Sequence, residues 1–185
     1  EASTPTDTLL NQRAVLELES GNVQAAIATA QQALDTAMQH FGEASDRVTT
    51  AKLALASAQL MGGRDEEALS AVTEVVQQIS LIHGDESPWL IPALLVRVEV
   101  QRSSADTTGA LETLSKAQGI REKNQRPEHP DNITLRVSRA NILLDAGRIA
   151  DAQSLLNSAN GQLRRLAANN FLLGSQIRLG LAQAA

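Results

Sequence analysis

A spacing of 42 residues recurs through this chain and restricts what it can fold into. A turn-forming position recurs at that step as Gly21, Gly63, Ala105 and Gly147. Alanines recur at the same step as Ala26, Ala68, Ala110 and Ala152. Because the period is long and fixed, and an apolar stretch lies on each side of every turn position, the chain is predicted to be an array of helix hairpins.

The segment from Leu60 to Leu69 shows how one of these turns is built. An apolar run ends at Gly62-Gly63, and the acidic residues Asp65, Glu66 and Glu67 follow. A glycine is favoured just after the end of a helix, and acidic side chains stabilise the first turn of the next helix. The segment therefore predicts one helix turning back on another.

Small side chains fall into three columns when positions 42 residues apart are aligned. The column on the first helix of each hairpin is Ala14, Ala56, Val98, Ala140 and Ala182. The two columns on the second helix are Ala26, Ala68, Ala110, Ala152 and Ala33, Val75, Ala117, Ala159. Small residues let two helix backbones approach closely, so we predict that these columns mark helix crossings.

These residues make the chain resemble the tetratricopeptide-repeat (TPR) superfamily, in which a small residue, a turn glycine and an Ala-x-x-x-apolar pattern recur. The longer period and His129-Pro130-Asp131 are similar to kinesin-light-chain-like repeats. The resemblance implies an all-α fold: a right-handed superhelical array of antiparallel hairpins, with about four and a half repeats and nine helices. The column that usually holds Tyr contains Glu17, Gln59, Gln101 and Leu143.

We expect a single solenoid domain over residues 1–185, because each repeat contacts only its neighbours. The predicted repeats are approximately 6–47, 48–89, 90–131 and 132–170, with a half repeat at 171–185. The chain ends on an apolar helix without a polar closing element, so we expect it to be part of a larger protein.

Composition excludes several classes of function. The chain has no Cys, which removes disulfides, thiol catalysis and Cys-based zinc sites. No apolar run reaches ~18 residues and no signal peptide is expected, so we expect a soluble domain, with the cytoplasm the slightly favoured compartment. The net charge of −5 and the 2% aromatic content disfavour nucleic-acid binding.

Catalysis finds no support in the sequence. His40, His83 and His129 lie far apart, at equivalent ends of successive hairpins, and lack metal-binding spacing. No phosphate-binding glycine loop or Gly-x-Ser-x-Gly motif is present. We therefore expect no enzymatic activity, no cofactor and no metal site, and His129 is interpreted as a loop brace.

Three columns of the first helices are predicted to line the concave inner wall of the array. They are Asn11, Leu53, Leu95, Val137; Val15, Ser57, Glu99, Asn141; and Leu18, Leu60, Arg102, Leu144. A mostly apolar wall with a few polar groups suits a peptide or an amphipathic helix. The alternative, favoured for Leu53 and Leu60 individually, is that the leucines only pack against neighbouring helices.

Two further features have open interpretations. Arg13, Arg97 and Arg139 share one column, and with Arg102 and Arg136 they form either an anion-binding strip or, more simply, a solvated face. Trp89, the one Trp of the chain, is either an exposed partner anchor or a packing residue at a hairpin junction.

Two hypotheses about function follow. The first is a non-catalytic protein–protein interaction scaffold that holds a peptide segment or partner helix in its concave groove. The second is a regulatory or self-assembly segment of a larger signalling protein, such as a kinase or transcription regulator. Residues 1–92 carry a net charge of −9 and residues 93–185 carry +4, which favours self-association through the end helices.

Overall fold

The computed structural model describes residues 6–124, 131–165 and 171–184. These residues form nine α-helices and no strand. The helices are α1 (Thr6–Glu19), α2 (Val23–Phe41), α3 (Asp46–Met61), α4 (Asp65–His83), α5 (Leu90–Ser103), α6 (Thr107–Lys123), α7 (Asp131–Asp145), α8 (Ile149–Arg165) and α9 (Phe171–Gln183). The predicted all-α array of helix hairpins is confirmed.

A side chain of the preceding loop sets the start of α3. Helix α3 begins at Asp46, and the side chain of Ser45 accepts a hydrogen bond from the Val48 N–H at 3.3 Å and caps the helix. Helix α7 begins at Asp131, the last residue of the predicted His129-Pro130-Asp131 motif. The His129-Pro130 part of the predicted motif lies outside the described residues.

The chain divides into two compact units, one ending at Asp85 and the other beginning at Glu86. The first unit contains α1 to α4, and its core includes Leu34 and Leu55 among buried alanines. The second contains α5 to α9, where Ile133, Leu156 and Ile177 belong to one apolar cluster. None of the helices in the described residues has the length and apolar character needed to cross a membrane.

Every hairpin turn uses the same backbone conformation. The turn residue is left-handed at Gly21 (φ 77°), Gly63 (φ 72°), Ala105 (φ 57°) and Gly147 (φ 71°). In each hairpin its N–H donates to the carbonyl three residues back, and the next N–H donates to the carbonyl five residues back. These bonds satisfy carbonyls that the end of the first helix leaves without partners. The recurring glycine therefore reflects a backbone requirement.

Ala105 adopts this conformation with a Cβ atom, which is unfavourable for an L-residue. We expect Ala105→Gly to raise the free energy of unfolding by about 0.5–1 kcal/mol, as measured by urea denaturation. Gly63→Ala is the matched control. Its new Cβ would meet no atom within 4 Å. The free energy of unfolding should therefore fall only by the backbone cost, about 1 kcal/mol. A change of the free energy of unfolding in the same direction and by the same amount in both variants would contradict this explanation.

The small-residue columns are buried as predicted, with one exception. Both second-helix columns are fully buried, and Ala14, Ala56, Val98 and Ala140 are buried on the first helices. The prediction for Ala182 is wrong, because this residue is exposed on α9. Ala14 and Ala140 share apolar clusters with the second helices of their hairpins, α2 and α8, whereas no helix follows α9 in the described residues.

Candidate functional site

One face of the first helices stays partly open to solvent in every hairpin. It comprises the twelve positions predicted to line the inner wall, all of which the structure describes. Ten are half-buried: Asn11, Leu18, Leu53, Ser57, Leu60, Leu95, Glu99, Arg102, Asn141 and Leu144. We call these twelve positions the first-helix face. Its residues recur at i, i+4 and i+7, the spacing of one side of a helix.

Two positions of the first-helix face depart from this pattern. Val15 is 47% exposed, so part of its side chain is accessible to a partner. Val137 is only 3% exposed and belongs to the apolar cluster of the second unit, which fits the core-packing alternative. Leu18 and Leu144 also pack partly against the cores of their units. For these three residues the core-packing alternative accounts for the burial.

The first unit has a groove between α1 and α3 that includes two residues of the first-helix face. The groove has a volume of about 360 Å³, and Val15 and Ala54 are the apolar residues among the eight that line it. Asn11 and Val15 line it from α1, and Ala54 lines it from α3. The Oδ1 atom of Asn11 is buried and has no hydrogen-bond partner in the structure. Such an atom is costly unless a ligand or a water molecule pairs with it.

One end of this groove contains an ion pair that sequence reasoning missed. Asp7 is 3% exposed, and both of its carboxylate oxygens accept hydrogen bonds from the Arg47 guanidinium at 3.0 and 3.1 Å. The same guanidinium lies 4.6 Å from the centre of the Phe41 ring. The sequence signal that could have revealed this pair is that Asp7 and Arg47 lie near the starts of successive first helices. The pair joins α1 to α3 at this end of the groove.

The polar residues of this face in the second unit contact one another. The guanidinium of Arg102 pairs with Glu99 on the same helix and, through Nε at 2.5 Å, with Asp145 at the end of α7. Burial raises the pKa of Glu99, although the charge of Arg102 acts to lower it. The structure therefore brings Glu99 and Arg102 together as predicted, but their charges partly neutralise each other.

The arginines of the predicted anion strip contact their own neighbours. Arg13 donates to Glu17 at 2.7 Å, Arg139 donates to Gln118 at 3.2 Å, and Arg136 donates to Gln162. Arg97 has a buried Nε atom without a hydrogen-bond partner. Most of these guanidinium groups are already engaged, which fits the solvated-face alternative. The strip stays a prediction.

Of two other surface features, Trp89 and a second groove, the sequence predicted only the first. Trp89 is 62% exposed, which favours its interpretation as a partner anchor over packing at the junction. A groove of about 560 Å³ lies between α3, α4 and the loop that precedes α3. It is lined in part by Leu81, which is 88% exposed. No repeat column predicted this groove, because positions 39 and 123, one period away from Leu81, hold Gln and Lys.

The two described histidines, His40 and His83, each contact a neighbouring side chain. His83 Nε2 lies 3.8 Å from the Asp46 carboxylate, and His40 is in edge contact with Phe41. The third, His129, lies outside the described residues. Within residues 6–124, 131–165 and 171–184, no group of three His, Cys, Asp or Glu side chains has metal-binding geometry. The described histidines thus serve as surface contacts.

Comparison with known proteins establishes the fold. Two structures of kinesin-light-chain-like proteins from Podosopora anserina with nearly identical TPR-like repeats match at 19% identity and TM-scores of 0.69. The matches cover 96% and 98% of this chain and 84% and 87% of the other chains. BtubC (BKLC) from P. vanneervenii matches at 18% identity with a TM-score of 0.67, over 89% of this chain and 65% of that one.

No protein-family model matches the chain, and no curated protein is similar to it in sequence. At the identities of the structural matches, the likeness shows the fold: helix-hairpin repeats of the kinesin-light-chain-like TPR kind. The predicted resemblance is confirmed at this level.

Proposed function

We propose that this chain is a non-catalytic interaction scaffold that holds a peptide segment or a partner helix against its first-helix face. The observation that carries the proposal is that this face stays partly exposed in hairpin after hairpin. The small-residue columns of the same helices are buried. A partly accessible face that combines apolar and polar side chains and recurs from hairpin to hairpin suits recognition of an extended or helical segment.

The groove between α1 and α3 provides a local binding element for this function. Val15 and Ala54 offer apolar contact, and the Asn11 carboxamide would turn toward a bound peptide to offer its Oδ1, which is buried and lacks a partner in the free chain. An extended peptide exposes main-chain N–H groups that need acceptors once they leave water. Apolar burial would supply affinity, and Asn11 would fix the register of the peptide.

A selection experiment tests this proposal without knowledge of the natural partner. Peptides are selected from a displayed random library on the intact chain, and their affinities are measured by fluorescence polarisation. Val15→Asp and Asn11→Ala should each weaken binding of the selected peptides about tenfold or more. Val15→Asp puts a charge where the groove has an apolar side chain, and Asn11→Ala removes the carboxamide of Asn11 from the groove.

Leu69→Asp is the matched control for Val15→Asp, because Leu69 is 39% exposed on α4 and lies outside the groove. Thermal unfolding by circular dichroism checks that all variants are folded. We expect the control to bind like the wild type. Selected peptides whose affinity is unchanged in both groove variants would contradict the proposal.

A further inference from the structure

The groove of about 560 Å³ between α3, α4 and the loop before α3 has exposed apolar side chains that the repeat pattern does not predict. We call it the α3–α4 groove. Leu81 is 88% exposed and Ile82 is 51% exposed, and Ala44 is the third apolar residue of the lining. The residues equivalent to Leu81 in the other three hairpins are Gln39, Lys123 and Arg165. The second hairpin thus exposes a leucine where the others have a polar side chain.

A smaller groove adjoins the α3–α4 groove along α4. It has a volume of about 350 Å³ and lies between α2, α3 and α4. Lys52 of α3 and Glu74 of α4 line both grooves. On α4 the lining residues of the two grooves run from Glu67 to Ile82. That distance is about four turns of helix, or about 22 Å, so the combined surface is long enough for a partner helix of similar length.

Polar groups of the α3–α4 groove already have partners within the chain. The Lys52 side chain is 14% exposed, and its ammonium nitrogen lies 3.5 Å from a carboxylate oxygen of Glu74. The side-chain amide of Gln78 donates to the main-chain carbonyl of Glu43 at 3.0 Å. An extended peptide needs partners for its main-chain groups, whereas a helix pairs most of its own main chain. These contacts therefore favour a helical occupant over an extended one.

The first unit, which contains this groove, has more carboxylates than its own cations pair with. Residues 6–85 contain eleven acidic and four basic side chains. All four basic side chains are in ion pairs: Arg13 with Glu17, Arg47 with Asp7, Lys52 with Glu74 and Arg64 with Glu67. Seven acidic side chains lie outside these four pairs, and one of them, Glu43, lines the groove. Such a surface attracts a basic partner and repels an acidic one.

From these observations we propose that the α3–α4 groove binds a basic amphipathic helix of a partner protein. Apolar side chains of that helix pack on Leu81 and Ile82, and its Lys or Arg side chains lie near Glu43. Burial of apolar surface supplies the affinity, and the negative charge selects basic helices. This surface is separate from the proposed peptide site, because neither groove beside α4 shares a lining residue with the groove between α1 and α3.

Fluorescence polarisation with three labelled synthetic peptides tests the proposal on the intact chain. The basic peptide has about 18 residues, with Leu at i, i+3, i+4 and i+7 and with Lys and Ala elsewhere. The acidic peptide has Glu in place of every Lys. The scrambled peptide has the composition of the basic peptide without an apolar face. The basic peptide should bind about tenfold or more tightly than either of the others, and added salt should weaken its binding.

Variants of the chain locate the binding site. Leu81→Gln with Ile82→Gln should weaken binding of the basic peptide about tenfold or more, because the exposed apolar contact is lost. Met61→Gln is the matched control, since Met61 is 60% exposed in the same unit and lines neither groove beside α4. Glu43→Gln should weaken binding about threefold, whereas Glu19→Gln, on the exposed surface of α1, should weaken it less. Circular dichroism checks that every variant is folded.

Three outcomes would overturn the proposal. Equal binding of the basic and scrambled peptides would show attraction by charge alone. Absence of binding by the basic peptide, or unchanged binding in the double variant Leu81→Gln/Ile82→Gln, would show that the groove does not receive such a helix. Sedimentation velocity of the wild type and this variant gives the third. Self-association that the double variant abolishes would identify a second copy of the chain as the occupant.

Discussion

Replacing Leu156 by Ala is expected to lower the free energy of unfolding by about 3 kcal/mol. Leu156 is 0% exposed and belongs to the apolar cluster that joins α7, α8 and α9. Truncating a fully buried leucine costs the transfer energy of the lost methyl groups and leaves a cavity that helices cannot fully close. Because hairpins are stabilised by their neighbours, the loss should extend to the packing of α9 on α8.

Urea denaturation at low protein concentration measures this loss. The matched control is Leu179→Ala in the same unit, where the side chain is 62% exposed and the change should be within about 0.5 kcal/mol. A loss of equal size in both variants would mean that helix propensity rather than burial determines the cost.

The contact between Leu156 and Gly180 allows a sharper test. A Cβ atom built at Gly180 would lie 2.9 Å from Leu156 Cδ1 and 3.3 Å from Cδ2, so the glycine receives the leucine side chain. Gly180→Ala should therefore be more favourable by about 1 kcal/mol in the Leu156→Ala background than in the wild type, because the cavity accepts the new methyl group. Additive effects would show that the two residues do not share this space.

The sequence predicted the hairpins and their crossings because both depend on local, repeated requirements. A left-handed turn requires glycine in three of the four hairpins, and close helix approach requires alanine in the second-helix columns. The face of the first helices could also be assigned from its i, i+4, i+7 spacing. The spacing could not show which residues of this face are exposed and which are buried, because Val137 and Leu95 occupy the same column but pack differently.

The Asp7–Arg47 ion pair and the residues that replace Tyr were harder to predict, because each depends on a partner in another helix. The position that usually holds Tyr faces a second-helix residue twelve positions later. In the third hairpin Gln101 accepts a hydrogen bond from Thr113 at 2.7 Å, and in the fourth hairpin Leu143 and Leu155 lie in one apolar cluster. In the first hairpin, hydrogen bonding from Thr29 and then Arg13 lowers the pKa of Glu17.

The two positions therefore vary together: polar with polar, or apolar with apolar. The second hairpin departs from this rule, since Gln59 has Ala71 at the paired position. Its amide donates instead to Glu67 at 3.2 Å, in the first turn of α4. Comparing the column that usually holds Tyr with the column twelve residues later would have shown this pairing. The first column alone shows only the absence of Tyr.

This pairing leads to the second large expected effect, in the third hairpin. Gln101 and Thr113 are each 9% exposed, so their hydrogen bond is shielded from water. Gln101→Met should leave the Thr113 hydroxyl without its partner, and Thr113→Val should leave the Gln101 carbonyl without its donor. Each single change should cost about 2 kcal/mol, because a buried polar group that loses its partner is not resolvated.

The double variant Gln101→Met/Thr113→Val should be more stable than the sum of the two losses predicts, by about 1–2 kcal/mol, since it leaves neither group unpaired. The Asp106 cap offers an internal check. Its carboxylate accepts from the Gly109 N–H at 2.9 Å as well as from Gln101, so α6 should keep its start in all three variants. Denaturation of the wild type, the two single variants and the double variant gives the interaction energy between the two side chains. Additive losses would show that the amide and the hydroxyl are stabilised independently, and that the polar pair does not replace the missing Tyr as a unit.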